Sequence, residues 1–254
     1  MLELANQFNN QNILIYGFGK SGRACFKYIR KNNKIEIYDD KKSSIPKNLK
    51  KNSINKTKLT SVNFDRIVVS PGIDINKCTL KKYLSKNKSK ISSELDIFYL
   101  NNIKNKKITI TGTNGKSTTS KLLHDVLKKH GKDVRLVGNI GNPLLLEKNI
   151  KPKTIFVIEA SSYQIEYSKY FKTDFAIILN ISPNHLERHR TFKNYIKSKF
   201  GLIKSQKKNS FAFIEKNNNF LKEELKKKKK NPIYNMPIFF KISQNIFYFP
   251  TFKI

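Results

Sequence analysis

The chain has 254 residues, 38% hydrophobic and 11% aromatic, enough to bury a core in one or two domains. Lys and Arg number 51 against 18 Asp and Glu, a formal net charge of +33, which invites a nucleic-acid or membrane reading. Arg, however, occurs only at Arg23, Arg30, Arg66, Arg135, Arg188 and Arg190, and readers of base edges favour Arg over Lys. Lys, Asn and Ile share AT-rich codons, so genome composition can produce the bias without selection for an anionic partner, and no specific nucleic-acid partner is expected. Cys25 and Cys78 offer neither a disulfide framework nor metal-ligand spacing. No stretch approaches the ~18 apolar residues of a membrane span, and the polar N-terminus has no signal-type apolar run. A cytoplasmic protein without a membrane partner is expected.

In chain order, NILIY (12–16) predicts a strand that ends in a glycine turn, with a helix over about 21–31. KIEIYDD (34–40) alternates as a strand and ends in two acids, completing the start of a βαβ unit. A Lys-rich polar stretch covers 41–61. DRIVVS (65–70) predicts a strand stopped by Pro71-Gly72, SELDIFYL (93–100) has helical spacing, and NNIKNK (101–106) reads as a linker. A second unit begins at Lys107, with a strand, a glycine loop and a helix from about Lys116 to His130, where Gly131 is the stop. Further strands are predicted in DVRLVGNIG (133–141), TIFVIEAS (154–161), FAIILNIS (175–182) and NSFAFIE (209–215). LKEELKKKKKN (221–231) is a charge run that reads as a solvated helix end or loop, and PIFFKISQNIFYFPTFKI (237–254) suggests two short strands. Apolar strands separated by helices imply an α/β fold with parallel sheets covered on both faces, whose functional groups gather at strand carboxyl ends.

Four motifs occupy such ends. Gly17-Phe18-Gly19-Lys20-Ser21-Gly22 fits G-x-G-x-x-G between strand and helix, with Asp39 and Asp40 about 20 residues on, where a ribose-binding acid belongs. The spacing suits NAD or another nucleotide. Thr111-Gly112-Thr113-Asn114-Gly115-Lys116-Ser117-Thr118 departs from the strict phosphate loop, because Ile110 stands where the first glycine belongs. Its chemistry survives: exposed N–H groups, Lys116 for terminal phosphates and Ser117 for Mg²⁺. Glu159, in EASSYQ, ends a buried strand, where a Mg²⁺ carboxylate is needed. The fourth, NISPNHLERH (180–189), places His185 just past another strand. His124 and His130 lie on a helix and suggest no role.

Together these motifs resemble the Mur ligases of peptidoglycan synthesis, over about residues 10–215. TGTNGKST is similar to the family's ATP loop, and GNIGNP (138–143), EASSYQIE (159–166) and ILNISPNHLERH (178–189) follow at the family's order and spacing. EASSYQ, GFGKSG and VVSPG (68–72) resemble the D-glutamate-adding branch.

The resemblance implies an N-terminal Rossmann-like domain, residues 1–104, that holds the UDP part of the substrate. GFGKSG would meet the diphosphate, Asp39 or Asp40 would lie near the uracil, and Ser70, Pro71 and Gly72 belong to the substrate site. Residues 105–254 would form the central ATP-binding domain, truncated, with ATP on Gly112 to Thr118. Ser117 and Glu159 would hold one Mg²⁺; His185 and a carbamylated lysine, Lys199 with Lys197 as its rival, would hold a second. Asn139, Ser161 and Gln164 would contact the sugar-peptide. The implied reaction is ATP-dependent joining of D-glutamate to UDP-N-acetylmuramoyl-L-alanine through an acyl phosphate.

Two departures stand out. Asn184 occupies a place where the family usually carries Asp. The family's C-terminal D-glutamate-binding domain has no counterpart in the sequence, so a fragment, a frameshift product or one half of a split enzyme with a separately encoded third domain is expected, with little or no ligation alone. The competing readings are a nucleotide- or polyanion-binding protein without ligase activity and a NAD-dependent oxidoreductase.

Overall fold

The structure, a computed structural model, describes residues 8–207, 209–215 and 219–226. It contains two wholly parallel sheets. The first has four strands in the order β2-β1-β3-β4: β1 Asn12–Tyr16, β2 Lys34–Tyr38, β3 Arg66–Val69 and β4 Ile91–Ser92. Helix α1, Lys20–Ile29, follows β1, and α2, Lys81–Lys86, precedes β4. The close fit of α1 to β1 depends on Gly22, where a Cβ would collide with the carbonyl oxygen of Gly17. The Lys-rich stretch folds as three short 3₁₀ turns, Lys42–Ser44, Lys47–Asn52 and Lys56–Ser61.

The second sheet has five strands in the order β6-β7-β5-β8-β9: β5 Lys106–Thr111, β6 Val134–Gly138, β7 Ile155–Glu159, β8 Phe175–Ile178 and β9 Phe211–Ile214. After β5 the chain runs through α4, Lys116–Lys129, to the sheet edge at β6, returns through β7, and then crosses to β8 on the other side of β5. The order therefore reverses at β5, and the crevice at the carboxyl ends of such strands is the ligand-binding position of open α/β sheets. Short helices α5, Ser162–Glu166, and α6, Leu186–His189, follow β7 and β8; α7, Phe192–Lys204, leads to β9, and α8, Asn219–Lys226, comes last. The apolar segment 237–254, expected to form strands, lies outside the described residues.

Helix α3, Glu94–Asn101, joins the two sheets. Ser93 caps it, its side chain accepting from the Asp96 N–H while the Asp96 carboxylate accepts from the Ser93 N–H. Every residue from Glu94 to Leu100 is buried, because both sides of the helix face protein. One apolar core runs from Ile13 and Ile15 of β1 through Leu95 and Phe98 of α3 to Phe156 and Ile158 of β7. The Phe98 and Phe156 rings meet edge to face at 4.8 Å.

Polar contacts reinforce this junction. Asp96, fully buried, also accepts from the N–H groups of Lys169, Tyr170 and Phe171 at 2.8–3.2 Å. The Tyr167 hydroxyl donates to the Ile73 carbonyl at 2.7 Å, and its ring belongs to a core cluster otherwise drawn from residues 14–91. Residues 167–171 thus carry the second sheet's chain onto the first.

Candidate functional site

The loop after β5 is held open by a residue from the loop after β8. Asn180 accepts from the Thr113 and Asn114 N–H groups at 3.1 and 2.9 Å and donates to the Asn114 carbonyl at 3.2 Å. The first turn of α4 leaves its N–H groups without helical partners, the usual anion-binding arrangement. Ser117 and Thr118 stand exposed on that turn. The Lys116 ammonium folds back on the carbonyls of Gly112 and Thr113, at 3.1 and 2.9 Å, and faces a cavity of about 380 Å³. A terminal phosphate entering there would exchange carbonyl partners for anionic oxygens.

Glu159 ends β7 with 1% of its surface exposed. Its Oε1 accepts from the Asn139 side chain at 2.8 Å, while Oε2 is buried with no hydrogen-bond partner. Such a carboxylate oxygen costs free energy unless a cation or donor completes it. The approach of β6 to β7 here depends on Gly138, which has φ +110° and leaves no room for a Cβ against the Glu159 carbonyl. No group of three or more His, Cys, Asp or Glu side chains forms a metal cluster among the described residues. Glu159 therefore fits a hard cation whose other ligands include hydroxyl, phosphate or water oxygens.

Lys199 and Lys197 differ sharply. Lys197 is exposed, whereas Lys199 is 2% exposed and donates to the Gly112 carbonyl at 2.8 Å and Thr111 Oγ1 at 3.2 Å. Burial, with the nearby Lys116 charge, pushes the Lys199 amine down to about 7. His185 lines the same cavity from a left-handed backbone position (φ +54°), its own N–H satisfied by the Asn184 side chain at 2.8 Å.

Lys20 and Ser21 of α1, Pro71 after β3 and Glu94 of α3 also line this cavity. Other expected substrate residues also hold the fold together. The Phe18 ring is buried against Phe26, its N–H goes to Asp39 Oδ2 at 2.6 Å, and its carbonyl accepts from Arg23. The Phe18 side chain thus belongs to the core. Ser70 donates to the Gly17 carbonyl at 2.7 Å and braces the loop, and Gly72 is exposed outside the cavity lining. Asp39 and Asp40 line a second cavity of about 320 Å³ with Tyr38, Lys42 and residues 53–57. Their carboxylates also hold local structure, Asp39 on the Phe18 and Lys41 N–H groups and Asp40 on the Tyr16 and Thr79 hydroxyls. Ser161 and Gln164 line the first cavity and at the same time form the capping box of α5.

Residues 110–245 match the Mur ligase middle domain, and residues 11–92 match the Mur ligase MurD-like N-terminal domain. The chain belongs to the Mur ligase family. Among curated relatives, the UDP-N-acetylmuramoylalanine–D-glutamate ligase of Elusimicrobium minutum is 39% identical over 224 residues, covering 83% of this chain and 49% of that protein. The protein of that name from Rickettsia bellii is 34% identical over 220 residues, covering 84% and 48%. The chain spans about half the length of the curated relatives it matches. A solved structure, the UDP-N-acetylmuramate:L-alanyl-γ-D-glutamyl-meso-diaminopimelate ligase of Neisseria meningitides, shares the fold with a TM-score of 0.52 at 13% identity, covering 86% of this chain and 75% of that one.

In this Mur ligase chain several residues in and around the cavity escape motif reading. Asn180 lies in a motif whose visible signal is His185. Tyr195, whose hydroxyl is 3.1 Å from that of Thr113, lies on a helix with no motif of its own. His189 is buried beside Ser162, with Nε2 at 3.0 Å from its hydroxyl, and burial with the Arg188 charge pushes the imidazole down to about 4, so it is neutral at pH 7. Glu94 lies in an apolar helical stretch that reads as core packing.

Proposed function

We propose that this chain carries the UDP-substrate and ATP sites of a D-glutamate-adding Mur ligase. The observation that carries the reading is that both glycine loops open into one cavity, Lys20 and Ser21 from the first and Gly112, Thr113 and Lys116 from the second. Two nucleotide-type loops facing one another suit a reaction that joins a nucleotide-linked substrate to ATP. The uracil end belongs in the second cavity at Asp39 and Asp40, and the diphosphate on the loop between the cavities. The sugar-peptide then extends past Asn139, Ser161 and Gln164 toward Lys116.

In this reading the alanyl carboxylate oxygen attacks the γ-phosphorus of ATP. An acyl phosphate forms, and the bond to the bridging oxygen of ADP breaks. Positioning supplies most of the acceleration, with Lys116 balancing charge on the transferring group. Ser117 and Glu159 are the residues that would hold Mg²⁺, with a second ion at His185 and a carbamylated Lys199. Bound there, Mg²⁺ supplies positive charge to the phosphate oxygens. The low proton affinity of the Lys199 amine supports carbamylation, because only a neutral amine adds to CO₂. D-glutamate is the proposed second substrate: its amine displaces phosphate from the acyl phosphate. The cytoplasm is the proposed location.

The test is binding of ATP and of UDP-N-acetylmuramoyl-L-alanine to the 254-residue chain and to Lys116→Ala. Lys116→Ala should weaken ATP by about tenfold or more and leave the UDP-substrate unchanged, as expected for loss of a charge-assisted phosphate contact. Saturation by NAD in place of the UDP-substrate would sink the reading.

A further inference from the structure

Glu94 is a buried acid on the wall of the reaction cavity, and nothing in the phosphate chemistry above uses it. It occupies the first turn of α3, is 5% exposed, and lines the cavity beside Lys20, Ser21 and Pro71. The Ser21 hydroxyl donates to its Oε2. Burial holds the carboxyl above the ordinary carboxylate range, and the Ser21 hydrogen bond and the Lys20 charge offset only part of that rise. A carboxylate kept in such a place is costly unless it has work that an amide or an apolar residue cannot do.

Its position indicates that work. Asp39, on the second cavity, holds the Phe18 N–H, whereas Lys20 and Ser21, two and three residues further along at the start of α1, face the first cavity. The first glycine loop therefore lies between the cavities. A ligand whose nucleoside sits by Asp39 and whose diphosphate crosses the loop enters the first cavity at Ser21 and Glu94. With the Ser21 hydroxyl on Oε2, the other carboxyl oxygen is left to accept a further hydrogen bond, and a carboxyl group suits a hydrogen-bond donor better than a phosphate. The next part of such a ligand is its amino sugar, with hydroxyl and acetamido N–H donors.

We infer that Glu94, oriented by Ser21, is a specificity-determining residue that accepts a hydrogen bond from the amino-sugar portion of the nucleotide-linked substrate. The inference rests on the ligase reading above. It makes the Ser21–Glu94 pair the boundary at which the site changes from reading charge to reading sugar.

The experiment measures affinity of the full chain for UDP-N-acetylmuramoyl-L-alanine and for UDP, in the wild type, Glu94→Gln and Glu94→Asp. Gln keeps the shape and replaces one carboxyl oxygen with an NH₂ donor; Asp keeps the carboxyl group and withdraws it by one methylene. Both variants should lose about tenfold or more for the sugar-peptide ligand, the scale of a buried polar group left without its partner. Both should hold UDP within about twofold and keep the wild-type melting temperature. Unchanged affinity in both variants, or equal losses for the two ligands, would overturn the inference. A wild-type chain that binds UDP-N-acetylmuramoyl-L-alanine no better than UDP would overturn the ligase reading itself, a distinct result.

Discussion

At the scale of single residues, Lys199 illustrates how a site can hide in a sequence. Tyr195, Lys199 and Ile203 recur at i, i+4 and i+8 on the buried face of α7, so a lysine occupies a core position. In a chain with this many lysines it reads as one more interruption of the pattern; only the fold separates it from exposed Lys197. Its lowered proton affinity gives a signed expectation. The folded chain releases this proton at about pH 7 and the unfolded chain near the ordinary lysine value, so the unfolded state binds more protons in between and stability rises with pH across that window. Denaturant titrations at pH 7 and 9.5 should show a smaller gain for Lys199→Met than for the wild type. An equal gain would contradict it. Labelled bicarbonate should give a carbamate carbon resonance in the wild type and in Lys197→Ala, and none in Lys199→Met. Asn180→Ala removes the acceptor shared by two loop amides and should weaken ATP by about tenfold while leaving UDP-substrate binding intact.

At the scale of elements, the strands were legible because each is an apolar run stopped by Gly, Pro, Asn or an acid at its carboxyl end. The same stops are the site, so fold and candidate loops came from one signal. What stayed hidden was either too short for a pattern, as with the two residues of β4, or decided by tertiary contacts. Helix α3 was visible as a helix, yet nothing local marks it as buried between two sheets. The 3₁₀ turns within 41–61 and the salvage of Phe18 for the core also depend on neighbours distant in sequence. Asp96 tests the importance of α3. Its carboxylate collects N–H groups from Ser93 and from residues 169–171, and Asp96→Ala strands them in the interior. We expect a loss of about 3 kcal/mol or more in unfolding free energy, measured by urea titration. Less than about 1 kcal/mol would mean that the junction is held by apolar contacts alone.

At the scale of the whole molecule, the +33 charge and the binding site are separable. Retention on a polyanion column should fall steeply with added salt, whereas UDP-substrate binding, built on a few directed contacts, should fall much less. The shared core predicts a single thermal transition, seen alike by calorimetry and far-UV circular dichroism, rather than one step per sheet. It also bears on how the chain is made. Phe98 leaves the ribosome well before Phe156, the ring it packs against, so α3 has only half of its surroundings when the first sheet is complete. A chain cut at residue 104 would keep that apolar helix permanently without its second side. The nascent protein passes through the same state on every round of synthesis, and its dependence on holding chaperones should begin at α3 and end once β7 has emerged.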